Sequence, residues 1–224
     1  GLINISSFTA FWSDNGNGIS VTTYTVQIST DINNFSAAYA QSFTTAPAGP
    51  IPQYTFTSLQ YNTTYFFQVR ALNRNNIPTA YVPLGSTSTL VDIPGTAVTT
   101  FSAVAIDGFT VAWSTNGNPV SVTTYTVQVS TDLNNFSAAY AQSFTTAPAG
   151  PAPQYTFTGL QPNTTYFFRA NAINNNDIPS AFTNLGSTST LAVAPAAAAS
   201  SFDLINISSF TAFWSDNGNG ISVT

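Results

Sequence analysis

The sequence predicts an all-β protein built of antiparallel β-sandwiches that follow one another in tandem. Three observations predict it. Apolar and polar residues alternate with a period of two, turn-forming residues separate the alternating segments, and the chain aligns to itself without a gap at an offset of 101 residues. Alternation is typical of strands that bury one face. A period near 100 residues favours separate domains, like beads on a string, over the much shorter units of a solenoid.

Duplication of a whole domain is visible in the tryptophans and in the long stretch that follows each of the first two. Trp12, Trp113 and Trp214 are spaced 101 residues apart. Residues 22–90 and 123–191 are identical at 54 of 69 positions. Such identity over most of a repeat predicts that the two copies share one fold.

A longer period of 202 residues lies behind the first. Residues 2–22 recur without a change at 204–224, whereas they match residues 103–123 at only 11 of 21 positions. The repeating unit is therefore a pair of domains, and we expect the chain to be a window on a longer array. The predicted domains are a first repeat, residues 1–91, with an incomplete first strand; a second repeat, residues 92–192; and a third segment, residues 193–224, with two strands of a further copy.

Individual strands are clearest in the second repeat, where apolar side chains take every other position. In chain order, these apolar faces consist of Phe109, Val111 and Trp113; Tyr125, Val127 and Val129; Tyr155 and Phe157; and Tyr166, Phe168, Ala170 and Ala172. These strand segments are separated by turn-forming sequences rich in Asn, Asp, Gly and Pro, at 116–119, 132–135 and 174–179. About seven short strands in roughly 100 residues predict an antiparallel seven-strand sandwich.

Several of these residues carry a family resemblance. Leu160, Pro162, Thr164 and Tyr166 match the pattern L-x-P-x-T-x-Y, and residues 65–73 of the first repeat fit Y-x-F-x-V-x-A-x-N. Each repeat thereby resembles a fibronectin type III domain, of the kind that forms extracellular arrays in bacteria. The resemblance implies that Tyr166 forms a tyrosine corner. It also implies that the tryptophans and tyrosines at the start of each sandwich are core residues: Trp12 and Trp113 on strand B, Tyr24 and Tyr125 on strand C.

The repeats depart from the family pattern at a few positions. Tyr61 stands where the family prefers proline, and the second repeat has Ala170 and Ala172 in place of a Val-x-Ala pair. The tripeptide Arg-Gly-Asp, the best-known integrin-binding motif of the family, does not occur in the chain. The departures leave the expected fold unchanged, and integrin binding through that motif is not expected.

Composition argues against most catalytic and metal sites. The chain has no Cys, His, Lys, Glu or Met, and charged residues make up 5% of it. Thiolate and imidazole chemistry, zinc sites and Schiff bases are thereby excluded. Residues 14–18 hint at a calcium loop, but glycines stand where oxygen ligands are needed, so we interpret them as a turn. We expect no enzyme, no cofactor and no metal.

Charge and hydropathy also limit the partners. A net charge of −5 with only Arg70, Arg74 and Arg169 as cations gives no basic surface for nucleic acid. The most apolar run, residues 191–199, is far too short for a membrane helix and is interrupted by Pro195. We therefore expect neither nucleic-acid binding nor a membrane span in this segment.

Six asparagines precede x-Ser or x-Thr and are candidate glycosylation sites: Asn4, Asn34, Asn62, Asn135, Asn163 and Asn206. Asn34 and Asn135 fall in a predicted turn between the family's strands C and C′, and Asn62 and Asn163 between strands E and F. Both turns are expected to be exposed enough for a glycan. An alternative is that these asparagines only shape the turns.

Four aromatic residues alternate away from core positions and are candidate contacts: Phe11, Phe66, Phe167 and Phe213. A chain with so few charges is expected to associate or precipitate unless sugars or neighbouring copies cover its surface. These rings could lie against glycans or against a neighbouring domain.

Together these observations predict a structural segment of an extracellular fibre or surface stalk, acting as a spacer, with glycans as a possible coat. Its expected partners are neighbouring copies of the same repeat or chain. Two alternatives stay open. One is an adhesin or carbohydrate-binding accessory module. The other is a filament subunit assembled by strand donation, in which residues 203–224 complete a domain of a neighbouring chain.

Overall fold

The structure is a computed structural model that describes residues 2–18, 21–36, 40–45, 51–120, 122–137, 141–146 and 152–218. Within these ranges the regular elements are β-strands. In the first repeat they are β1 (Phe8–Phe11), β2 (Thr23–Ser29), β3 (Gln41–Thr45), β4 (Gln53–Phe56), β5 (Thr64–Leu72) and β6 (Val82–Ser88).

The second repeat has the same strands in the same order, preceded by one more. They are β7 (Gly95–Ser102), β8 (Phe109–Ser114), β9 (Thr124–Ser130), β10 (Gln142–Thr146), β11 (Gln154–Phe157), β12 (Thr165–Ile173) and β13 (Thr183–Ser189). The third segment contributes β14 (Ala196–Asp203) and β15 (Thr211–Ser215). The all-β fold class with antiparallel sheets is confirmed.

Each repeat consists of a smaller and a larger sheet. In the first repeat β1 pairs with β4, and the larger sheet has the order β3-β2-β5-β6. In the second repeat the sheets have the orders β11-β8-β7 and β10-β9-β12-β13. β7 gives the smaller sheet of the second repeat a third strand, and the equivalent positions of the first repeat, 101 residues earlier, fall outside the described residues.

Alternation along the strands places aromatic side chains between the two sheets of a repeat. In the first repeat Phe8, Phe56 and Tyr65 are at most 3% exposed. The ring of Phe8 meets those of Tyr65 and Phe67 edge to face, at centroid distances of 5.8 and 4.7 Å. Edge-to-face rings add to the free energy gained from burying their apolar surface. In the second repeat, the residues that the period-two pattern assigns to apolar faces are buried, except Tyr155, which is half-buried.

The tyrosine corner implied by the resemblance is present in both repeats. The buried hydroxyl of Tyr166 accepts a hydrogen bond from the backbone N–H of Gln161, at 2.9 Å. Tyr65 accepts the equivalent bond from Gln60 at 3.0 Å. This bond fixes the turn that enters the long central strand β5 or β12.

A glycine interrupts the pairing of the last two strands in each repeat. The register shifts between Phe67 and Gln68, and Gly85 on the facing strand has a φ of 99°. The same shift occurs between Phe168 and Arg169, opposite Gly186 with a φ of 98°. A positive φ is accessible to glycine without steric cost, so these glycines allow a β-bulge at the same place twice.

Two compact units divide the chain. The first comprises Gly1–Pro94 with the segments Thr115–Tyr125 and Asn171–Ala181, and the second comprises Gly95–Ser114, Thr126–Ala170 and Phe182–Thr224. The domain boundaries expected from the sequence repeat stay a prediction. In the described part of the chain, no helix reaches the length and apolarity needed to span a membrane.

Candidate interaction surface

The exposed sequons lie in hydrogen-bonded turns. Asn34 follows β2, where the hydroxyl of Ser29 donates to its backbone carbonyl at 2.7 Å and its Oδ1 accepts from the N–H of Ser36 at 2.9 Å. The turn at Asn135 repeats both bonds at the same distances, with Ser130 and Ser137. Both asparagine side chains are exposed, as the sequence predicts.

Asn62 is not exposed, and the expectation of an accessible side chain is wrong at this position. Its side chain is 0% exposed within the first compact unit. Its Nδ2 donates to the hydroxyl of Thr123 at 3.0 Å, and its Oδ1 accepts from the N–H of Asn175 at 2.7 Å. A glycan would attach to that same Nδ2, which is buried and already donates a hydrogen bond.

Asn163 occupies the equivalent turn of the second repeat and is exposed. Both turn asparagines adopt left-handed backbone conformations, with φ of 44° at Asn62 and 47° at Asn163. Asparagine tolerates this region better than most residues, which accounts for its presence in both turns independently of any glycan. The remaining two candidates, Asn4 and Asn206, are exposed and hydrogen-bond Ser7 and Ser209 through Nδ2, at 3.2 and 3.4 Å.

The four candidate contact aromatics divide into two pairs. Phe11 and Phe213 are 43% and 44% exposed, in line with their outward positions in the sequence pattern. Phe66 and Phe167 are half-buried. Hence the first pair is more accessible to another molecule than the second.

The acidic turn at residues 14–18 has ordinary turn chemistry. The backbone carbonyl of Asp14 accepts a hydrogen bond from the backbone N–H of Asn17 at 3.0 Å. Asn15 and Gly16 both have positive φ, of 52° and 81°. Two successive positive φ values define a tight turn of the kind that links twisted strands. The Asp14 carboxylate accepts a hydrogen bond from the N–H of Gly16 at 3.3 Å and so stabilises the turn.

The sequence did not predict a cleft that opens between the two sheets of the first repeat, alongside β1 and β6. One part, about 360 Å³, is lined by apolar residues that include Phe8, Phe67 and Leu84. A second part, about 550 Å³, also reaches Leu84 and is lined by Trp12 and Arg70. We call this feature the edge cleft.

Polar atoms in the edge cleft are left without partners. Trp12 Nε1 and Arg70 Nε are buried and make no hydrogen bond among the residues that the structure describes. Burial raises the pKa of the Tyr24 hydroxyl, which lies in the same cleft, and the negative charge of Asp14 raises it further. A hydrogen bond with Asn17 lowers this pKa.

A signal for the edge cleft does exist in the sequence. Alignment at the 101-residue offset matches Phe101 with Phe202. The counterpart of Phe101 in the first repeat would precede Gly1. The first repeat consequently has no described residue at the position that Phe101 fills in the second. Sequence reasoning identified the incomplete strand without predicting the cleft beside it.

Comparisons with known proteins agree with this geometry. A sequence model of the family described as fibronectin type III domain matches residues 96–184, and no curated protein matches the chain. The structure is similar to a two fibronectin type-III domain segment from chicken tenascin, at 13% identity and a TM-score of 0.50, over 85% of this chain and 95% of that one. It is also similar to the FN1–FN3 domains of chicken CNTN1, at 18% identity and a TM-score of 0.33, over 84% of this chain and 64% of that one.

The matched family accounts for the two-sheet sandwich, the tyrosine corner and the buried tryptophan of the second repeat. At 13% sequence identity, the similarity to the tenascin segment shows the fold alone. Residues 96–184 are therefore a fibronectin type III domain, and the chain has the fold of tandem fibronectin type III domains.

Proposed function

We propose that this chain is a structural repeat segment of an extracellular fibre or surface stalk, in which sandwich domains act as spacers. Fibronectin type III domains are commonly extracellular structural or adhesion modules, and they are typically scaffolds without enzymatic activity. The observation that carries the proposal is the near-identity of the repeats, at 54 of 69 positions between residues 22–90 and 123–191.

Near-identity extends to exposed positions, which packing does not constrain. The turns at Asp31 and Asp132 are both exposed and lie in segments of nearly the same sequence, Ser-Thr-Asp-x-Asn-Asn. Domains with different ligands would differ most at such surface positions, because binding residues lie there. Repeats that keep the same surface are better suited to doing the same task many times, which is what a spacer requires.

Short links between the repeats fit a spacer as well. Residues 90–94 and 191–195 each end in a proline, whose ring fixes φ. A short link containing proline bends less than a flexible one of glycine and serine. Spacing along an array would then be set by the number of repeats.

A glycan coat on the exposed sequons would keep such an array in solution. Only 5% of the residues are charged, and surfaces with few charges and a small net charge tend to associate. Asn34 and Asn135 are the best placed of the candidates, because they occupy the same turn of the two repeats and are exposed in both. Asn62 is excluded from this coat by its burial.

The test is to measure length against repeat number. Chains with one, two and four copies of the 202-residue period are compared by small-angle X-ray scattering. We expect the maximum dimension to grow linearly with the number of copies. Each copy contains two domains placed end to end, and strands that rise ~3.3 Å per residue then give an increase of about 60–75 Å per copy.

The matched control replaces Pro94 and Pro195 with glycine, which frees φ in each link and keeps the buried side chain of Val91. The control chains should have smaller mean dimensions, since flexible links let the array coil. A maximum dimension that grows only as the cube root of chain length would show a compact assembly and contradict the spacer.

A further inference from the structure

One loop of the second repeat, residues 174–176, packs against the first repeat within the first compact unit. The Nδ2 of Asn174 donates to the backbone carbonyl of Thr89 at 3.2 Å, and both residues are buried. The Nδ2 of Asn176 donates to the hydroxyl of Thr87 at 3.1 Å. The loop is therefore fixed to the first repeat on both sides of its central residue.

The central residue of this loop, Asn175, bonds to Asn62 through both its backbone and its side chain. Its N–H donates to Asn62 Oδ1 at 2.7 Å. Its Nδ2 donates to the backbone carbonyl of Asn62 at 3.2 Å and to the hydroxyl of Thr64 at 3.5 Å. Because Asn62 is fully buried, its polar atoms need partners within the protein, and the short amide side chain of Asn175 provides one of them.

The first repeat has a loop of the same conformation at residues 73–75. In each loop the Oδ1 of the first asparagine, Asn73 or Asn174, accepts the backbone N–H groups two and four residues later, at 2.8–3.0 Å. The residue that follows each loop, Asn76 or Asp177, has a φ of 59° in both repeats. The two loops therefore present their central residues on the same backbone, and only the side chain can distinguish them.

That side chain differs, since Arg74 stands where the second repeat has Asn175. Arginine is longer than asparagine, carries a charge and only donates hydrogen bonds. At the position of Asn175 it would extend past the Asn62 carbonyl, which the shorter amide reaches at 3.2 Å. It would also bring a charged group against a fully buried polar residue. A loop with arginine at its centre therefore fits the turn at Asn62 poorly.

Tyr61, which departs from the family pattern, adds a contact beside Asn62. Its ring lies against the backbone of Gly117, where an added Cβ would be 3.2 Å from Tyr61 Cε2. Gly117 belongs to the same compact unit, in a segment whose Thr123 hydroxyl accepts from Asn62 Nδ2 at 3.0 Å. The equivalent residue of the second repeat, Pro162, has no such ring. The first repeat thus differs from the second in the surface that receives a loop as well as in the loop itself.

We propose that residue 175 determines which repeat can follow the first: the surface formed by Tyr61, Asn62 and Thr64 accepts a loop with asparagine at its centre and excludes one with arginine. The partner that this surface recognises is a repeat of the second type. The order of the sequence agrees, because a second-type repeat separates residues 2–22 from their identical copy at 204–224. This proposal concerns recognition between adjacent repeats and does not depend on the spacer role.

Hydrogen exchange of the Asn62 side-chain amide, followed by NMR in the full chain, tests the proposal. The Nδ2 of Asn62 is buried and donates to Thr123, so its hydrogens exchange only when these contacts open. Asn175→Arg should raise this exchange rate about tenfold or more, since the variant loses the side-chain bonds to Asn62 and Thr64 and holds the contacts open.

The matched control is Arg74→Asn, which makes the reverse exchange at the equivalent position of the first repeat, where the side chain is exposed. It should leave the exchange rate of the Asn62 amide unchanged. A native rate in Asn175→Arg, or equal increases in the two variants, would overturn the proposal.

A further variant separates exclusion of arginine from simple loss of hydrogen bonds. Asn175→Ala removes the same side-chain bonds without adding length or charge, so it should raise the Asn62 exchange rate less than Asn175→Arg does. Equal rates in these two variants would mean that arginine is not excluded. Backbone amides of the core, such as that of Val127, should exchange at the native rate in every variant. An equal increase throughout the chain would indicate global unfolding and would also contradict a role confined to this contact.

Discussion

Asn62 and Asn163 show how one residue type in one turn can have two environments. Both have positive φ and both precede Thr-Thr, yet Asn62 is fully buried and Asn163 is exposed. Thr123 and Asn175 hydrogen-bond the Asn62 side chain, whereas the positions at the same offsets from Asn163, 224 and 276, fall outside the residues that the structure describes. A sequon is therefore insufficient evidence for an accessible asparagine.

Replacement of Asn62 by alanine should destabilise the first compact unit by about 1–3 kcal/mol, because it leaves buried hydrogen-bonding groups without a partner. Asn163→Ala is the matched control, since it changes the same backbone conformation at an exposed position. Urea unfolding followed by tryptophan fluorescence measures both. Equal losses of unfolding free energy would show that the buried hydrogen bonds of Asn62 contribute nothing.

The Tyr125 hydroxyl should titrate far above its ordinary range. Burial raises its pKa to about 12, while a hydrogen bond with Asn118 acts in the opposite direction. The folded state therefore holds this proton above pH 10, where the unfolded chain releases it, and stability falls as the pH rises from about 10 towards 12.

Absorbance at 295 nm against pH, compared with that of Tyr125→Phe, measures this titration. The difference between the two curves should have its midpoint near pH 12. A midpoint near pH 10 in the folded protein would mean that the hydroxyl is in contact with water.

At the scale of elements, β7 closes one edge of the second sandwich. The strand completes the smaller sheet of the second repeat and places Phe101 on the ring of Phe168. The first repeat has no such strand among its described residues, and its cleft opens at the equivalent place. In the second repeat this edge strand covers the ring of Phe168.

Phe101→Ser should destabilise the second repeat by about 2–3 kcal/mol, because it removes most of an aromatic side chain from the edge of the core. Phe202→Ser is the matched control, since the equivalent ring is 61% exposed. Thermal unfolding of dilute samples should show a lower transition for the first variant and no change for the second. Similar shifts in both variants would mean that β7 does not close the core.

At the scale of the whole molecule, the composition makes solubility the main physical problem. With a formal charge of −5 and an isoelectric point near 4.1, the chain loses its net charge in mild acid. Large hydrophobic side chains such as Ile77 and Val82 are about 60% exposed, at 61% and 58%. Without charge repulsion, such surfaces associate.

A chain made without glycans should therefore precipitate most strongly near pH 4, as measured by turbidity between pH 3 and pH 8. The same chain made in a host that glycosylates asparagine should remain clear over this range, and its mass should exceed 23.6 kDa. The variant Asn34→Gln/Asn135→Gln should lose most of that added mass. Added mass that instead maps to Asn62 would contradict its burial.

Much of this protein is determined by local sequence. Alternation predicts which side chains of the second repeat enter the core, and the motif around Tyr166 predicts a corner in which Tyr166 accepts the Gln161 N–H. The self-alignment predicts that two sandwiches share one strand order. These features follow from the sequence because they depend on strand periodicity and turn chemistry over a few residues.

Only the tertiary structure decided the burial of Asn62 and which side chains line the edge cleft. Asn62 is buried by residues about 60 and 113 positions away, and the cleft exists because no described strand covers Leu84. Exposure depends on which segments meet in space, and a local pattern contains no information about a neighbour that far along the chain. The alternating sequence determined which face of each strand is apolar, and long-range packing decided whether that face is covered.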